Sequence, residues 1–243
     1  MRSRVRPREP APVPGAATHQ PLDLPSRPRR PLGVVDFLKE AERAGRDYEL
    51  RIWDWTEEEF MKHAPENRFC DLIDGELIVH SPVRTIHQRL VAFLTYLLIT
   101  HTSARTLGEV LNGPAATRLR PGAVVEPDIF YISTDRLAAI GDLHVEAAPD
   151  FCVEVLSPST RRHDLVEKAA LYVESGVGEC WFVDGRDRRV VVHRALPPRL
   201  DGLEVRAGRL EAVAVPGFWI EVDWLWQTPL PSAASLAPLY LTR

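Results

Sequence analysis

Two acidic residues stand in runs that read as buried strands. Glu154 lies inside FCVEVL (Phe151 to Leu156), and Asp128 lies inside VVEPDIFYI (Val124 to Ile132). Alternate residues of a strand face the same side. Glu126, Asp128, Phe130 and Ile132 therefore share one face, as do Cys152, Glu154 and Leu156. A lone ionised carboxylate in an apolar interior costs several kcal/mol, roughly, unless it is paired or binds a metal. Two acids on neighbouring strands can be brought side by side, and a divalent cation with hard oxygen ligands relieves their repulsion. Magnesium needs only one or two carboxylates plus phosphate and water, which is the economy expected of phosphodiester chemistry.

Lys168 is the third member. The strand of Glu154 runs into a Ser157-Pro158 turn and then a helix expected from about Arg161 to Ser175. A helix that follows a strand packs back over the sheet, so a long lysine chain there can reach the Glu154 carboxylate. Its ammonium would steady an attacking hydroxide or the developing phosphorane charge. Each residue alone also has an ordinary reading. Asp164 and Lys168, one helical turn apart, make a common surface ion pair worth ~0.3–0.5 kcal/mol. Glu154 could be the buried partner of Arg118 or Arg161, and Asp128 could cap a strand end. The signal lies in the ordered set.

The surrounding elements are those of an α/β (α+β) domain. TEEEFMKHA opens on Thr56 with Glu59 three residues on, a capping box that starts a helix over about 56–64. Asp74-Gly75 between two short apolar runs predicts a type I′ hairpin, with Glu76 opening its second strand. A long helix is expected from about Arg84 to His101, with Leu90, Phe93, Leu94, Leu97 and Leu98 at helical spacing. Strand-like runs follow at 106–111, 115–119 and 124–132, then a short helix near 134–140. After the Glu154 strand and its helix come ECWFVD and RRVVVHR, joined at Gly185, and short C-terminal strands. Strands and helices alternate around one sheet, so a mixed central sheet flanked by helices is expected.

VVEPDIFYIS followed by PDFCVEVLSPSTRRHDLVEKAALYVESGVGECWFVD resembles the Uma-type restriction endonucleases, a family of the PD-(D/E)XK nuclease superfamily. DLIDGELIVHSPVRTIHQRL is similar to that family's N-terminal signature, and the resemblance covers roughly residues 53 to 225. It implies a restriction endonuclease-like core and a DNA endonuclease using magnesium or manganese. Pro127-Asp128 takes the PD position and Glu154 the second acidic position. Asp128 and Glu154 would hold the metal with help from the Val155 carbonyl. The superfamily's lysine normally sits two residues after that acid, where this chain has Leu156; Lys168, on the following helix, would serve instead. Glu76 and His87 match family positions that line the cleft. The rival from another class is a catalytically inactive nuclease-fold module that binds nucleic acid or protein, for which the cluster should be broken. A carboxylate-pair glycosidase is a third reading, disfavoured by the nearby lysine.

Charge and composition set the remaining bounds. Residues 1–30 hold seven arginines against Glu9 and Asp23, a net of +5; the chain as a whole carries −4, so the remainder carries −9. A basic, proline-rich arm over 1–32 is expected to be disordered, following a phosphate backbone or merely solvated. A linker or short helix over 33–50, the nuclease-like domain over 51–225 and a tail over 226–243 complete the division. Three scattered cysteines with no metal spacing point to a reducing compartment, the cytoplasm. The longest apolar stretch, LVAFLTYLLI, is too short to span a bilayer. DNA is the expected partner, and cutting two strands would suit a homodimer.

Overall fold

The computed structural model describes residues 47–65 and 68–241. The basic arm and most of the expected linker helix lie outside them.

A small antiparallel sheet comes first in the chain. It is built from β1 (Glu49–Ile52), β2 (Cys70–Ile73), β3 (Glu76–His80), β5 (Thr117–Arg120) and β6 (Ala123–Val125), in the order β1-β3-β2-β6-β5. Its β2–β3 hairpin turns at Asp74 (φ +49°) and Gly75 (φ +88°), with Ile73 opposite Glu76, as the Asp-Gly pair predicts. Helix α1 (Glu57–His63) carries the predicted box: the Thr56 hydroxyl accepts from the Glu59 N–H at 3.2 Å, and the Glu59 carboxylate accepts from the Thr56 N–H at 2.9 Å.

The larger sheet comprises β4 (Gly108–Asn112), β7 (Ile129–Ser133), β8 (Phe151–Val155), β9 (Glu179–Asp184), β10 (Arg189–Arg194) and β11 (Leu200–Val205). Their order is β11-β10-β9-β8-β7-β4. Only β8 and β9 run parallel among the described strands, and a parallel pair needs a crossover. The crossover is a π-helical turn, His163–Lys168, continuing as α3 (Ala169–Glu174). Helix α2 (Thr85–Arg105) covers one face of this sheet: Leu90, Phe93, Leu94, Leu97 and Leu98 pack with Ile129, Tyr131, Val153, Val155 and Trp181. The crossover covers the other, where Ala169, Leu171 and Tyr172 meet Phe130, Ile132, Cys152 and Phe182. The alternation holds within β7 and β8, but the run expected as one strand over 124–132 is two. β6 ends at Val125 in the small sheet and β7 starts at Ile129 in the larger one. Glu126, Pro127 and Asp128 link them, Pro127 having no N–H to continue a ladder. All three cysteines are free and buried.

The C-terminus departs from expectation. After β12 (Arg209–Glu211) and β13 (Trp219–Glu221), residues expected as a tail form α4 (Ala233–Leu236) and α5 (Pro238–Leu241), which return to α2. Tyr240 is fully buried and its hydroxyl donates to the Trp219 carbonyl at 2.7 Å. The apolar spacing of this segment is too short and broken by proline to announce a packed helix. Truncating a buried aromatic to alanine costs about 3–5 kcal/mol. Tyr240→Ala should lose that much in urea unfolding; a loss under 1 kcal/mol would mean the segment is peripheral.

Candidate active site

Register brings the two acids together. Ile129 pairs with Val153 across the antiparallel β7–β8 ladder, so Asp128, one residue before β7, falls opposite Glu154. The Asp128 N–H points at Glu154 Oε2, 3.5 Å away. Asp128 is fixed on several sides. Its Oδ2 accepts from the Val155 N–H at 2.8 Å and lies 3.0 Å from His87 Nε2, near the start of α2. Its carbonyl accepts from Gly113 N–H and Asn112 Nδ2, each at 3.2 Å. Gly113 is required there, since a Cβ would sit 2.7 Å from the Pro127 carbonyl oxygen.

Lys168 reaches inward. Its Nζ is 2.6 Å from Glu154 Oε1 and 3.9 Å from Asp71 Oδ1, and only 3 % of the residue is exposed. The surface ion pair with Asp164 is not what forms: Asp164 is itself buried. Nor does Glu154 use an arginine. Arg118 pairs with Glu57 and Glu146, and Arg161 with Asp184 and Asp187. The Tyr172 hydroxyl, one turn on from Lys168, donates to Glu154 Oε1.

The sequence reading missed a second group. Asp71 on β2 is buried, and its Oδ2 lies 2.9 Å from His80 Nε2 and 3.0 Å from His163 Nε2. These three donors are close enough together to hold a metal ion. The signal for Asp71 was present: it sits in CDLI as Glu154 sits in FCVEV, an acid within a buried strand. His163 had no such signal. Five residues along an α-helix turn about 140° away from the starting direction, so α spacing turns His163 and Lys168 apart. The π turn, with its i→i+5 bonding, lets both reach Asp71.

Burial of an acid does not by itself make a site. Glu179 is wholly buried, but its carboxylate accepts from Trp181 Nε1, Arg194 Nη2 and the Val213 and Ala214 N–H groups at 2.7–3.1 Å. It is a satisfied structural group. The Asp128–Glu154 cluster differs because it lines a cavity of about 30 Å³, room for a water or two. Asp71, Glu126, Asp128, Glu154 and Asp164 all line it, against one ammonium, Lys168.

The electrostatics follow from that imbalance. Burial pushes the Glu154 carboxyl up, and Asp128 and Asp164 add to this; Lys168 pulls it back only in part. Burial likewise raises Asp71, but Lys168, His163 and His80 outweigh it and hold the group well below the usual carboxylate range. Burial lowers Lys168, yet Asp71, Glu154 and Asp164 together keep it charged. Burial carries Glu126 up to about 7 against the pull of the Cys70 N–H. A carboxyl raised in the folded state contributes stability below its unfolded pKa and loses it as pH climbs through the folded one. In metal-free protein, the Glu126 contribution is therefore lost between about pH 4.5 and 7. Glu126→Gln should flatten that part of the profile of unfolding free energy against pH; an unchanged slope would assign the decline elsewhere.

The donor set fits magnesium. Both donors on Asp128 fall on one oxygen, Oδ2, which leaves Oδ1 its lone pairs, and Glu154 Oε2 has only its long contact to the Asp128 N–H. Two carboxylates with spare oxygen capacity, in a cavity with excess negative charge, are what a hard divalent ion needs. Val155 lines the same cavity. Glu76 does not: it is bound 3.1 Å from Arg51, which also holds Glu167 at 2.9 Å, one step outside His163.

The family model described as "Putative restriction endonuclease", Uma2, matches residues 57–223. The chain belongs to the Uma2 family. Its fold is also that of a crystal structure described as "a putative nuclease belonging to DUF820 from Anabaena variabilis ATCC 29413", with a TM-score of 0.61 at 15 % identity, covering 71 % of this chain and 97 % of that one. No curated protein matches. The Uma2 span contains every member of the cluster, from Asp71 to Tyr172, and ends before α4 and α5. Among the described residues no helix is long and apolar enough to cross a membrane.

Proposed function

We propose that this Uma2 protein is a metal-dependent endonuclease that hydrolyses phosphodiester bonds of DNA. The observation that carries the reading is Lys168 Nζ at 2.6 Å from Glu154, with Asp128 opposite Glu154 in register. The intact acid–acid–lysine cluster supports catalysis over the rival reading of a module that only binds.

Asp128 and Glu154 would hold magnesium or manganese, with the Val155 carbonyl as a third oxygen. The bound ion would supply Lewis-acid polarisation of the phosphate and an acidified water. The protein's own groups do the rest. His87 and the Val155 N–H keep Asp128 in one orientation, and Tyr172 does the same for Glu154. Lys168 stays an ammonium, so it is no proton acceptor. It orients the attacking water by hydrogen bonding and stabilises negative charge as it develops. The three buried free thiols suit a reducing cytoplasm.

The test is incubation of supercoiled plasmid with purified protein and magnesium or manganese, against an EDTA control. Nicked and linear products should form with metal alone, and Asp128→Asn should not form them. Absence of cleavage by the wild-type protein across both metals and several DNA forms would overturn the reading.

A further inference from the structure

We propose that Asp71, His80 and His163 form a second cation site, selective for a zinc-class ion, that fastens the β2–β3 hairpin to the π-helical turn. The inference is independent of the nuclease reading, since none of the three is a proposed magnesium ligand.

The donors come from separate places. Asp71 is on β2, His80 ends β3, and His163 opens the π turn. Each is at least 95 % buried. Both imidazoles aim Nε2 at one oxygen of Asp71, at 2.9 and 3.0 Å, and all three donor atoms lie within 4.8 Å of one another. Separations near 3 Å are those of neighbouring ligands around an ion with bonds of about 2.0–2.1 Å.

The outer contacts are those of a ligating histidine. His163 Nδ1 lies 3.1 Å from Glu167 Oε2, and Glu167 is held by Arg51 at 2.9 Å. A carboxylate on the far nitrogen fixes the ring and its tautomer, with Nε2 left free for an ion. Without an ion, His163 lies between two carboxylates and needs a proton on each nitrogen to bond both. The place therefore takes one positive charge, and a divalent ion can supply it while also binding His80.

Donor type separates this site from the acid pair. Two imidazole nitrogens and one carboxylate suit zinc, cobalt or nickel, whereas the all-oxygen set of Asp128 and Glu154 suits magnesium or manganese. Asp71 and His80 line the cavity, so an ion entering beside the acids meets them. Bound there, it would join the hairpin to the crossover beside the Arg51–Glu167 pair.

The experiment uses full-length, metal-stripped protein in excess magnesium, titrated with zinc or cobalt. One equivalent should bind and raise the melting temperature by several degrees beyond the magnesium value. Zinc-edge X-ray absorption of the wild-type complex should count two imidazoles. His80→Gln and His163→Gln should each weaken binding at least tenfold, and Glu167→Gln by about 10–100-fold as an outer-shell partner. Glu154→Gln should leave it intact, which keeps this test separate from that of the nuclease. Failure to bind, fewer than two imidazoles, or unchanged affinity in the histidine variants would overturn the site and leave a carboxylate hydrogen-bonded by two rings. The absorption count stands on the wild-type protein, so it decides the matter even where a variant does not fold.

Discussion

Lys168→Ala is expected to abolish DNA cleavage and to cost about 3–5 kcal/mol of folding stability. The two losses have one cause. The ammonium is buried against Glu154 and also lies 3.9 Å from Asp71. Removing one partner of a buried pair leaves the other uncompensated, and here at least two carboxylates are left. The variant answers by taking up protons. Without the ammonium, the Glu154 carboxyl rises further above its unfolded value. A group raised in this way stabilises the fold below its unfolded pKa, about 4.3, and withdraws that support as pH rises through its folded pKa. The deficit of Lys168→Ala should therefore be smallest near pH 5 and grow toward pH 8. Urea unfolding at the two pH values measures it. A variant within 1 kcal/mol of wild type at pH 8, cutting plasmid at the normal rate, would make Lys168 a bystander.

Glu154→Gln should lower cleavage by at least about 10³-fold, the upper range for losing one electrostatic stabiliser. It should also erase the rise in melting temperature that magnesium produces, because an ion that binds only the folded state stabilises it by mass action. The substitution keeps the shape of the side chain and lets the amide oxygen accept from Tyr172. What it removes is the charge that attracts both the ion and Lys168. Magnesium titrations followed by thermal unfolding, beside the plasmid assay, separate the two effects. Retention of the full magnesium-dependent shift would move the ion away from Glu154.

Much of the site is legible because strands make simple statements. Period-two alternation put Glu154 on the face that the crossover covers, Asp128 falls opposite it by register just before its strand begins, and a carboxylate in an apolar run demanded a partner. The Asp-Gly turn, the Thr56–Glu59 cap and the apolar stripe of α2 could be read for the same reason: each is set by residues near one another in sequence. Asp71 obeyed the rule applied to Glu154 and needed only the same question asked of CDLI. His163 was hidden because the helical reading assumed α spacing, which turns it away from Lys168. The return of α4 and α5 to the core was hidden too, since Tyr240 is buried by tertiary contact and no local pattern marks it.

The π turn makes chain length, as well as side-chain identity, part of the site. Between His163 and Lys168 the backbone carries one residue more than an α turn would use. Exposed Val166 within it could change to many residue types with little consequence. Its deletion should be tolerated as well. A chain one residue shorter would close the segment to α spacing, where four residues turn about 400° and bring His163 and the lysine back to within about 40° of one another. An added residue has no such outlet, because it would carry the lysine and Tyr172 round to another side of the helix. The turn already holds the one spare residue it can absorb, so here a gap is milder than an insertion.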